Sequence, residues 1–147
     1  MRIEIDIDKF KNEIDNFKNE KIDGVKKLIQ KLIFDTQQDA TRMAPNFVSL
    51  DTDFKDAGLT GEVGVIGRQT ANTDKSDPNN LAAYFEFGTG LSAQQILAPY
   101  PQWVKDIAMD YFVTGLGTLV GKPYLFNNFL RHLETFKSGM DKLLEND

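Results

Sequence analysis

The sequence contains no cysteine, a single histidine and a single tryptophan. Without cysteine the chain can form neither a disulfide nor a thiolate metal site. His132 alone cannot build a site that needs two imidazoles from one copy of the chain. No apolar stretch approaches the roughly 18–20 residues of a membrane-spanning helix, and residues 1–6 alternate apolar with charged side chains, unlike a signal peptide. We therefore expect a protein made and kept in a cytoplasm, unless it leaves as part of something larger.

Basic residues are scarce in the middle third of the chain. Residues 45–90 hold three basic side chains against seven acidic ones, and they carry most of the net charge of −5. Tight binding of nucleic acid needs several Lys or Arg side chains aimed at phosphates. The middle of the chain offers the opposite, which argues against a nucleic-acid-binding surface there.

Apolar side chains are abundant, and the aromatic ones are dominated by 11 Phe. With 147 residues, of which 41% are hydrophobic, the chain is long enough for one domain with a substantial core. No internal repeat and no linker interrupts it. We expect a single domain over residues 1–147.

The N-terminal third predicts a strand followed by a long helix. Isoleucines alternate with acidic residues over residues 3–7, which is the period of a half-buried strand. From Asp8 onward apolar residues recur at three- and four-residue steps, which predicts a helix that ends by Ala44, since Pro45 disfavours helical geometry before it. Gly24 could bend or break this helix. A straight helix of about 35 residues would run roughly 50 Å and project beyond a small sheet toward a neighbour.

The middle of the chain predicts strands separated by loops. Residues 46–61 are turn-rich and acidic, and we expect a loop there. Residues 62–67 read as a strand whose glycines allow close backbone approach. Residues 68–80 contain almost nothing apolar and predict a surface loop. Leu81–Phe87 is expected to be an aromatic strand.

Two helices are expected near the C-terminus. Residues 102–112 have helical spacing after two prolines. Pro123 suits the first position of the last helix, with Tyr124 and Leu125 as start and packing residues before a continuous apolar stripe. The whole order indicates an α+β fold, in which a small, mainly antiparallel sheet is packed by a long N-terminal helix and a C-terminal amphipathic helix.

Two segments are similar to ligand-binding loops but lack residues that such loops require. Residues 115–122 are rich in glycine, but a Walker A loop requires other residues where Leu116 and Pro123 stand. Residues 51–62 begin like a calcium loop, but Lys55 takes a ligand position and Asp56 takes the place of the turn glycine. We therefore expect no cofactor and no metal site.

No catalytic constellation emerges either. His132 lies on the last helix, and one histidine at the expected edge of a core does not make a catalytic triad. Glu86 lies inside the aromatic strand, and sequence spacing places no second carboxylate beside it. We expect no catalytic residues, and we interpret Glu86 as a strand-face or subunit-contact carboxylate.

Four features stand in order along the chain. The opening strand leads through Asp8-Lys9-Phe10 into the long helix, and Ala44-Pro45 closes that helix. Tyr84-Phe85-Glu86-Phe87-Gly88-Thr89-Gly90 precedes Gly121-Lys122-Pro123-Tyr124-Leu125. Together they resemble the tail-completion, or head–tail joining, proteins of long-tailed bacteriophages, whose signatures are aromatic-Glu-Phe-Gly-Thr-Gly and small-basic-Pro-aromatic-Leu. The chain departs from that family after Ala-Pro, where only Asp51-Thr52 remains of an Asp-Thr-Gly-x-Leu segment.

The resemblance implies a non-enzymatic subunit of the virion neck, assembled in the host bacterial cytoplasm and without contact to a membrane. Such subunits form a ring with copies of themselves, commonly a hexamer, between the head-closure or connector proteins and the tail tube or its terminator proteins. DNA would only pass through the channel, and an acidic middle third suits a channel that should repel phosphate. The 68–80 loop is expected to contribute to subunit contacts. The candidate subunit interface comprises Tyr84, Phe85, Glu86, Phe87, Gly88, Thr89 and Gly90.

Two other classes of function stay open from the sequence. A bacterial or prophage adaptor, or a binding module of the toxin–antitoxin type, would bind one small partner protein through its long helix and form no ring. An enzyme would require a deep pocket with converging polar groups.

Overall fold

The computed structural model of the chain describes residues 1–6, 19–66, 78–111 and 119–145. In these residues three antiparallel strands form a sheet in the order β1-β3-β2, with β1 at Arg2–Asp6, β2 at Leu50–Lys55 and β3 at Thr60–Val65. The described ranges also contain five α-helices: α1 (Asn19–Met43), α2 (Pro78–Phe87), α3 (Leu91–Leu97), α4 (Gln102–Met109) and α5 (Phe126–Glu145). The predicted α+β fold, with its long N-terminal helix and C-terminal amphipathic helix, is confirmed.

The sheet separates an apolar face from a charged face. Ile3 pairs with Val63, and both are buried. The same face carries Gly61, where an added Cβ would lie 2.7 Å from Cγ1 of Ile33 in α1. Because Gly61 has no side chain, α1 can pack directly on the centre of the sheet. The opposite face is charged, with Glu4 paired to Glu62.

Helices α1 and α5 pack antiparallel. The side chain of Leu143, near the end of α5, lies against Gly24 near the start of α1. At the other end Asp39 of α1 contacts His132 of α5. The helix continues through Gly24 without a break, and the glycine leaves room for the side chain of Leu143.

The described part of helix α1 packs on both α5 and the sheet. Its 25 residues span about 37 Å, and α5 and the sheet cover its buried side, including Val25, Ile29 and Ile33. The part of the predicted long helix that falls on residues 8–18 lies outside the described residues.

Two segments differ from their predicted structure. Leu81–Phe87 is not a strand, because it belongs to helix α2. A short apolar run has no clear period, so a strand and a buried helix are hard to tell apart from the sequence. Here Pro78 starts a helix, and most of its residues from Ala82 to Phe87 are buried. The predicted loop over 46–61 contains strand β2, in which acidic residues alternate with Leu50, Thr52 and Phe54. Aspartate is depleted in strands, and this weakened the signal of alternation.

The C-terminal half follows the prediction more closely. Helix α4 confirms the helix expected from Gln102, although it ends at Met109. Helix α3 was not predicted. Helix α5 begins at Phe126 rather than at Pro123. The predicted loop over 68–80 falls mainly on 67–77, outside the described residues, while Pro78 and the residues after it are helical.

The core joins the sheet face, α1 and α5 to the aromatic side chains of the smaller helices. Its largest fully buried members include Tyr124, Phe87, Phe126, Ile29 and Leu32. Trp103 of α4 packs against Phe126 and Phe129, with ring centroids 6.0 and 5.9 Å away. None of the helices in the described ranges is long and apolar enough to cross a membrane.

Candidate functional site

The end of α2 and the segment before α5 form one connected unit, which we name the α2–α5 junction (residues 84–90 and 119–126). Its centre is Glu86 of α2, which is fully buried. One carboxylate oxygen, Oε2, accepts the backbone N–H groups of Tyr124 and Leu125 at 2.8 and 2.9 Å. The other, Oε1, accepts the N–H of Phe126 at 2.9 Å. Glu86 therefore caps the start of α5 from a different helix.

This cap meets a need that every helix has. The first N–H groups of a helix have no partner inside it, and the aligned peptide dipoles make that end positive. Most helices satisfy these donors with a nearby Ser, Thr, Asp or Asn. The start of α5 uses a carboxylate 40 residues earlier in the chain, at Glu86. Asn128, inside α5, adds a hydrogen bond from its side-chain amide to the Tyr124 carbonyl at 2.6 Å.

Backbone hydrogen bonds complete the junction. The N–H of Lys122 donates to the Phe85 carbonyl, and the N–H of Thr89 donates to the Leu119 carbonyl, both at 2.9 Å. In return the N–H of Leu119 donates to the Thr89 hydroxyl at 3.0 Å. The hydroxyl of Ser92 accepts the N–H of Gly121 at 3.2 Å.

Two glycines permit the two backbones to lie this close. Gly88 has a φ of +75°, which side chains rarely tolerate, and an added Cβ would lie 2.6 Å from the backbone nitrogen of Gly121. A Cβ on Gly121 would in turn collide with backbone atoms of Phe87 and Gly88. Both positions therefore require glycine because a side chain would not fit between the two backbones.

The structure brings the two groups of predicted site residues together. Tyr84, Glu86, Phe87 and Gly88 are buried, while Thr89 and Gly90 are half-buried. Of the seven, Phe85 has the exposed side chain, at 36%. Pro123 is half-buried, and Tyr124 and Leu125 are buried.

The interpretation of Glu86 as a strand-face or subunit-contact carboxylate is wrong. The residue lies on a helix, and its carboxylate is enclosed by its own chain. The candidate subunit interface over residues 84–90 stays a prediction. Burial limits it to Phe85 and the half-buried turn at Thr89 and Gly90.

The electrostatics of the junction are set by burial. Burial raises the pKa of Glu86 to about 7, against the opposing effect of its three backbone hydrogen bonds. Burial and the nearby Glu86 charge also raise the pKa of the Tyr124 phenol, which donates to the Ala82 carbonyl at 2.7 Å. The same causes raise the pKa of Tyr100, whose hydroxyl bonds to Asn127.

Exposed apolar side chains lie on the junction at Phe85, Leu119 and Val120, and Phe47 adds to them; we call these four residues the apolar surface. Phe47 and Phe85 pack edge to face, with centroids 5.3 Å apart, and Phe47 remains 46% exposed. Leu119 and Val120 are 37% and 72% exposed. Phe47 and Phe85 thus form an exposed aromatic pair, and exposed apolar side chains are a feature of protein–protein contact surfaces. Sequence reasoning missed Phe47 and Ser92, because nothing local indicates that either lies beside residues 84–90.

A second charged cluster lies on the open face of the sheet. Arg2 contacts Asp51 at 2.5 Å and Glu62 at 3.0 Å, and Lys55 contacts Glu62 at 2.5 Å. The bond from Lys55 is the main cause of a lowered pKa at Glu62, while the hydrogen bond with Glu62 raises the pKa of Glu4. The cluster borders an open depression of about 680 Å³. Within the described ranges no group of three His, Asp or Glu side chains is placed to hold a metal ion.

A third polar cluster joins α1 to α5. Asp39 accepts contacts from Arg42 at 2.5 Å, Arg131 at 2.6 Å and His132 at 2.7 Å. His132 is half-buried, at the edge of the core. The neighbouring cavity, lined by His132 and Phe136 among others, has a volume of about 20 Å³, which is near the size of one water molecule.

The chain matches no protein-family model, no curated protein and no solved structure. The resemblance to phage head–tail joining proteins is therefore a hypothesis that rests on the residues of this chain alone. The α2–α5 junction is the feature of the structure that bears on it most directly.

Proposed function

We propose that the chain is a structural protein of a long-tailed bacteriophage virion that joins the head connector to the tail as a subunit of a ring. The observation that carries this proposal is the contact between the two segments on which the resemblance depends. Glu86 of the first segment caps the helix that the second segment starts. The two signatures therefore act as one physical unit, and this gives a reason for them to occur together in one chain.

The exposed part of the junction suits a subunit contact. Phe47 and Phe85 present aromatic surface, and Leu119 and Val120 of the same junction are exposed. A ring requires heterologous interfaces, in which one face of a subunit meets a different face of the next. The apolar surface would supply one of these two faces.

The charge distribution supports the same proposal. The chain has a net charge of −5, most of it in the middle third. A channel that conducts DNA works better when it repels phosphate than when it binds it, since phosphate contacts dominate affinity for DNA. The open sheet face, with Asp51, Asp53 and Glu62, is a candidate for the surface nearest the DNA.

The alternative of an adaptor that binds a partner through its long helix receives less support. The apolar side of α1 is occupied by α5 and by the sheet over the described residues, as the burial of Val25, Ile29 and Leu32 indicates. A partner helix would have to displace α5 before it could bind that side.

Deletion of the gene in the parent phage or prophage tests the proposal. The expected result is filled heads and separate tails that fail to unite, seen by electron microscopy, and detection of the protein in wild-type virions. Complementation with Phe85→Asp should fail although the variant remains folded, because a charge would disrupt the apolar surface. Lys137→Glu, on the exposed side of α5, is the matched control and should restore infectivity. Infectious particles from the deletion strain would refute the proposal.

A further inference from the structure

Strand β2 lies at one edge of the sheet, since the order β1-β3-β2 gives it β3 as its neighbour. The N–H of Ile66 donates to the Ser49 carbonyl at 2.9 Å, just beyond the paired residues of β3 and β2. In an antiparallel ladder, every second residue turns its N–H and C=O toward the neighbouring strand. Counted from that bond, the backbone groups of three residues of β2 point away from the sheet: Leu50, Thr52 and Phe54.

The two outer residues of these three have partners at the edge, and the central one does not. The Leu50 carbonyl accepts the side-chain amide of Gln37 at 3.2 Å, and the N–H of Phe54 donates to the Asp53 carboxylate at 2.9 Å. Within the described ranges no hydrogen bond reaches the N–H or the C=O of Thr52. Thr52 also borders the open depression of the charged face. An unpaired donor and acceptor on one edge residue are the groups that an added strand binds.

An exposed aromatic ring lies beside this edge on the side of α1. Phe34 of α1 packs against Phe54 of β2, with ring centroids 5.3 Å apart, and Phe34 remains 48% exposed. Because side chains of a strand alternate between the two faces of a sheet, every second side chain of an added strand points to the same side as Phe54. Apolar side chains at these positions would remove exposed aromatic surface from water.

The other side of the edge is acidic. The residues of the three strands that point to the charged face comprise two basic and five acidic side chains, a net charge of −3: Arg2, Lys55, Glu4, Asp6, Asp51, Asp53 and Glu62. On β2 itself, the side chain of Asp51 is 48% exposed, and Asp53 has no ion pair in the part of the chain that the structure describes. Basic side chains of an added strand would therefore meet complementary charge on this face.

We propose that the free edge of β2 binds an extended segment of a partner protein, which adds to the sheet as a further strand and alternates apolar with basic side chains. Backbone hydrogen bonds to Thr52 hold the segment in place. Its apolar side chains contact Phe34, and its basic side chains lie beside Asp51 and Asp53. The site does not include the α2–α5 junction, so it goes beyond the proposed role in the virion and does not depend on it.

NMR of the full chain with a synthetic peptide tests the site. The probe is a capped hexapeptide of alternating lysine and valine, and it should shift the Thr52 amide resonance saturably and slow its hydrogen exchange. Two control hexapeptides, one of alternating glutamate and valine and one of three lysines followed by three valines, should bind at least roughly tenfold more weakly. The amide of Val65, which donates to the Met1 carbonyl inside the sheet, is the internal control and should not change.

Two pairs of variants separate the edge from general charge effects. Thr52→Pro removes the outward N–H, which an edge strand tolerates, and should abolish binding of the lysine–valine peptide, whereas Thr52→Val should bind it like the wild type. Asp53→Asn should weaken that binding several-fold, because it removes a charge beside the added strand. Asp23→Asn, at an exposed carboxylate of α1, should leave the binding unchanged.

If Thr52→Pro does not fold, the wild-type chain decides with a lysine–valine hexapeptide that is methylated on its backbone nitrogens and should not bind. Equal binding of the alternating lysine and glutamate peptides, or no change at Thr52 with the lysine–valine peptide, would overturn the proposal. Exchange at Thr52 that slows as the concentration of the chain rises, without peptide, would show that a second copy covers the edge, and this would overturn it too.

Discussion

The carboxylate of Glu86 lies 2.9 Å from the backbone nitrogen of Phe126, so that a side chain of α2 caps the first turn of α5. Two further N–H groups, from Tyr124 and Leu125, share the same carboxylate. The contact makes α2 and the last long helix depend on each other.

Glu86→Ala should destabilise the fold severely. The substitution leaves three buried N–H groups without an acceptor, and each unsatisfied buried donor costs on the order of 1–3 kcal/mol. We expect the free energy of unfolding, measured by urea denaturation, to fall by at least about 3 kcal/mol. Glu134→Ala, whose carboxylate is 76% exposed, should change it by less than about 0.5 kcal/mol. Equal stabilities for the two variants would contradict the capping role, as would a folded Glu86→Ala variant that fails only in assembly.

Gly121→Ala and Gly139→Ala should differ sharply although the chemical change is the same. At Gly121 the new methyl group meets backbone atoms of Phe87 and Gly88, which cannot move without opening the junction. At Gly139 it meets the flexible end of Leu28, and alanine favours the helix by about 1 kcal/mol. We expect a loss of about 3 kcal/mol or more for Gly121→Ala and a change within about 1 kcal/mol for Gly139→Ala, both by thermal or urea denaturation. A mild effect at Gly121 would show that the two backbones are not held together.

Asp39 should contribute to stability above acid pH and lose that contribution as the pH falls. Its hydrogen bond to His132, with the charges of Arg42 and Arg131, lowers its pKa below the usual value of 3.8. A group whose pKa is lower in the folded state stabilises the fold above its unfolded pKa, and the benefit disappears as the pH falls through the folded pKa. The difference in free energy of unfolding between the wild type and Asp39→Asn should therefore be positive at pH 6 and shrink below pH 4. A difference that does not change with pH would exclude the ionised Asp39 as its cause.

Phe129→Ala should loosen the packing of α4 on α5 and report it through tryptophan fluorescence. The ring of Phe129 packs edge to face on Trp103, the single tryptophan of the chain, at 5.9 Å. Removing a buried aromatic ring costs roughly 3–5 kcal/mol, and the emission of Trp103 should shift to longer wavelength as water approaches it. Phe34→Ala is the control, since Phe34 is 48% exposed and pairs with Phe54 away from Trp103. An unchanged emission spectrum in the Phe129 variant would count against this packing.

Local periodicity was sufficient for some elements and insufficient for others. The alternation in β1 and the apolar stripe of α5 repeat often enough to give the correct structure. The segment ending at Phe87 is too short and too apolar for its period to be read, so a helix was mistaken for a strand. In β2 the acidic residues suggested a loop, although they occupy the charged face of a strand, where Arg2 pairs with Asp51.

The candidate site, too, could be predicted only in part from the sequence. The residues 84–90 and 123–125 could be selected from the sequence as unusual, and the structure places them in one junction. The physical role of these residues could not be predicted from the sequence. Whether Glu86 faces outward or caps a helix depends on how close the start of α5 lies to it in space. The spacing of residues along the chain does not determine that distance.

The sequence alone determined the fold class, the amphipathic faces of α1 and α5, and the lack of thiol chemistry, because composition and period are properties of neighbouring residues. Tertiary structure decided the rest. It buried Glu86 against N–H groups up to 40 residues away, brought Gly88 and Gly121 into contact, and left Phe47 and Phe85 at the surface. Burial and hydrogen bonding between distant segments arise from packing of the whole chain, and packing is what gives a carboxyl group its pKa and an aromatic ring its exposure.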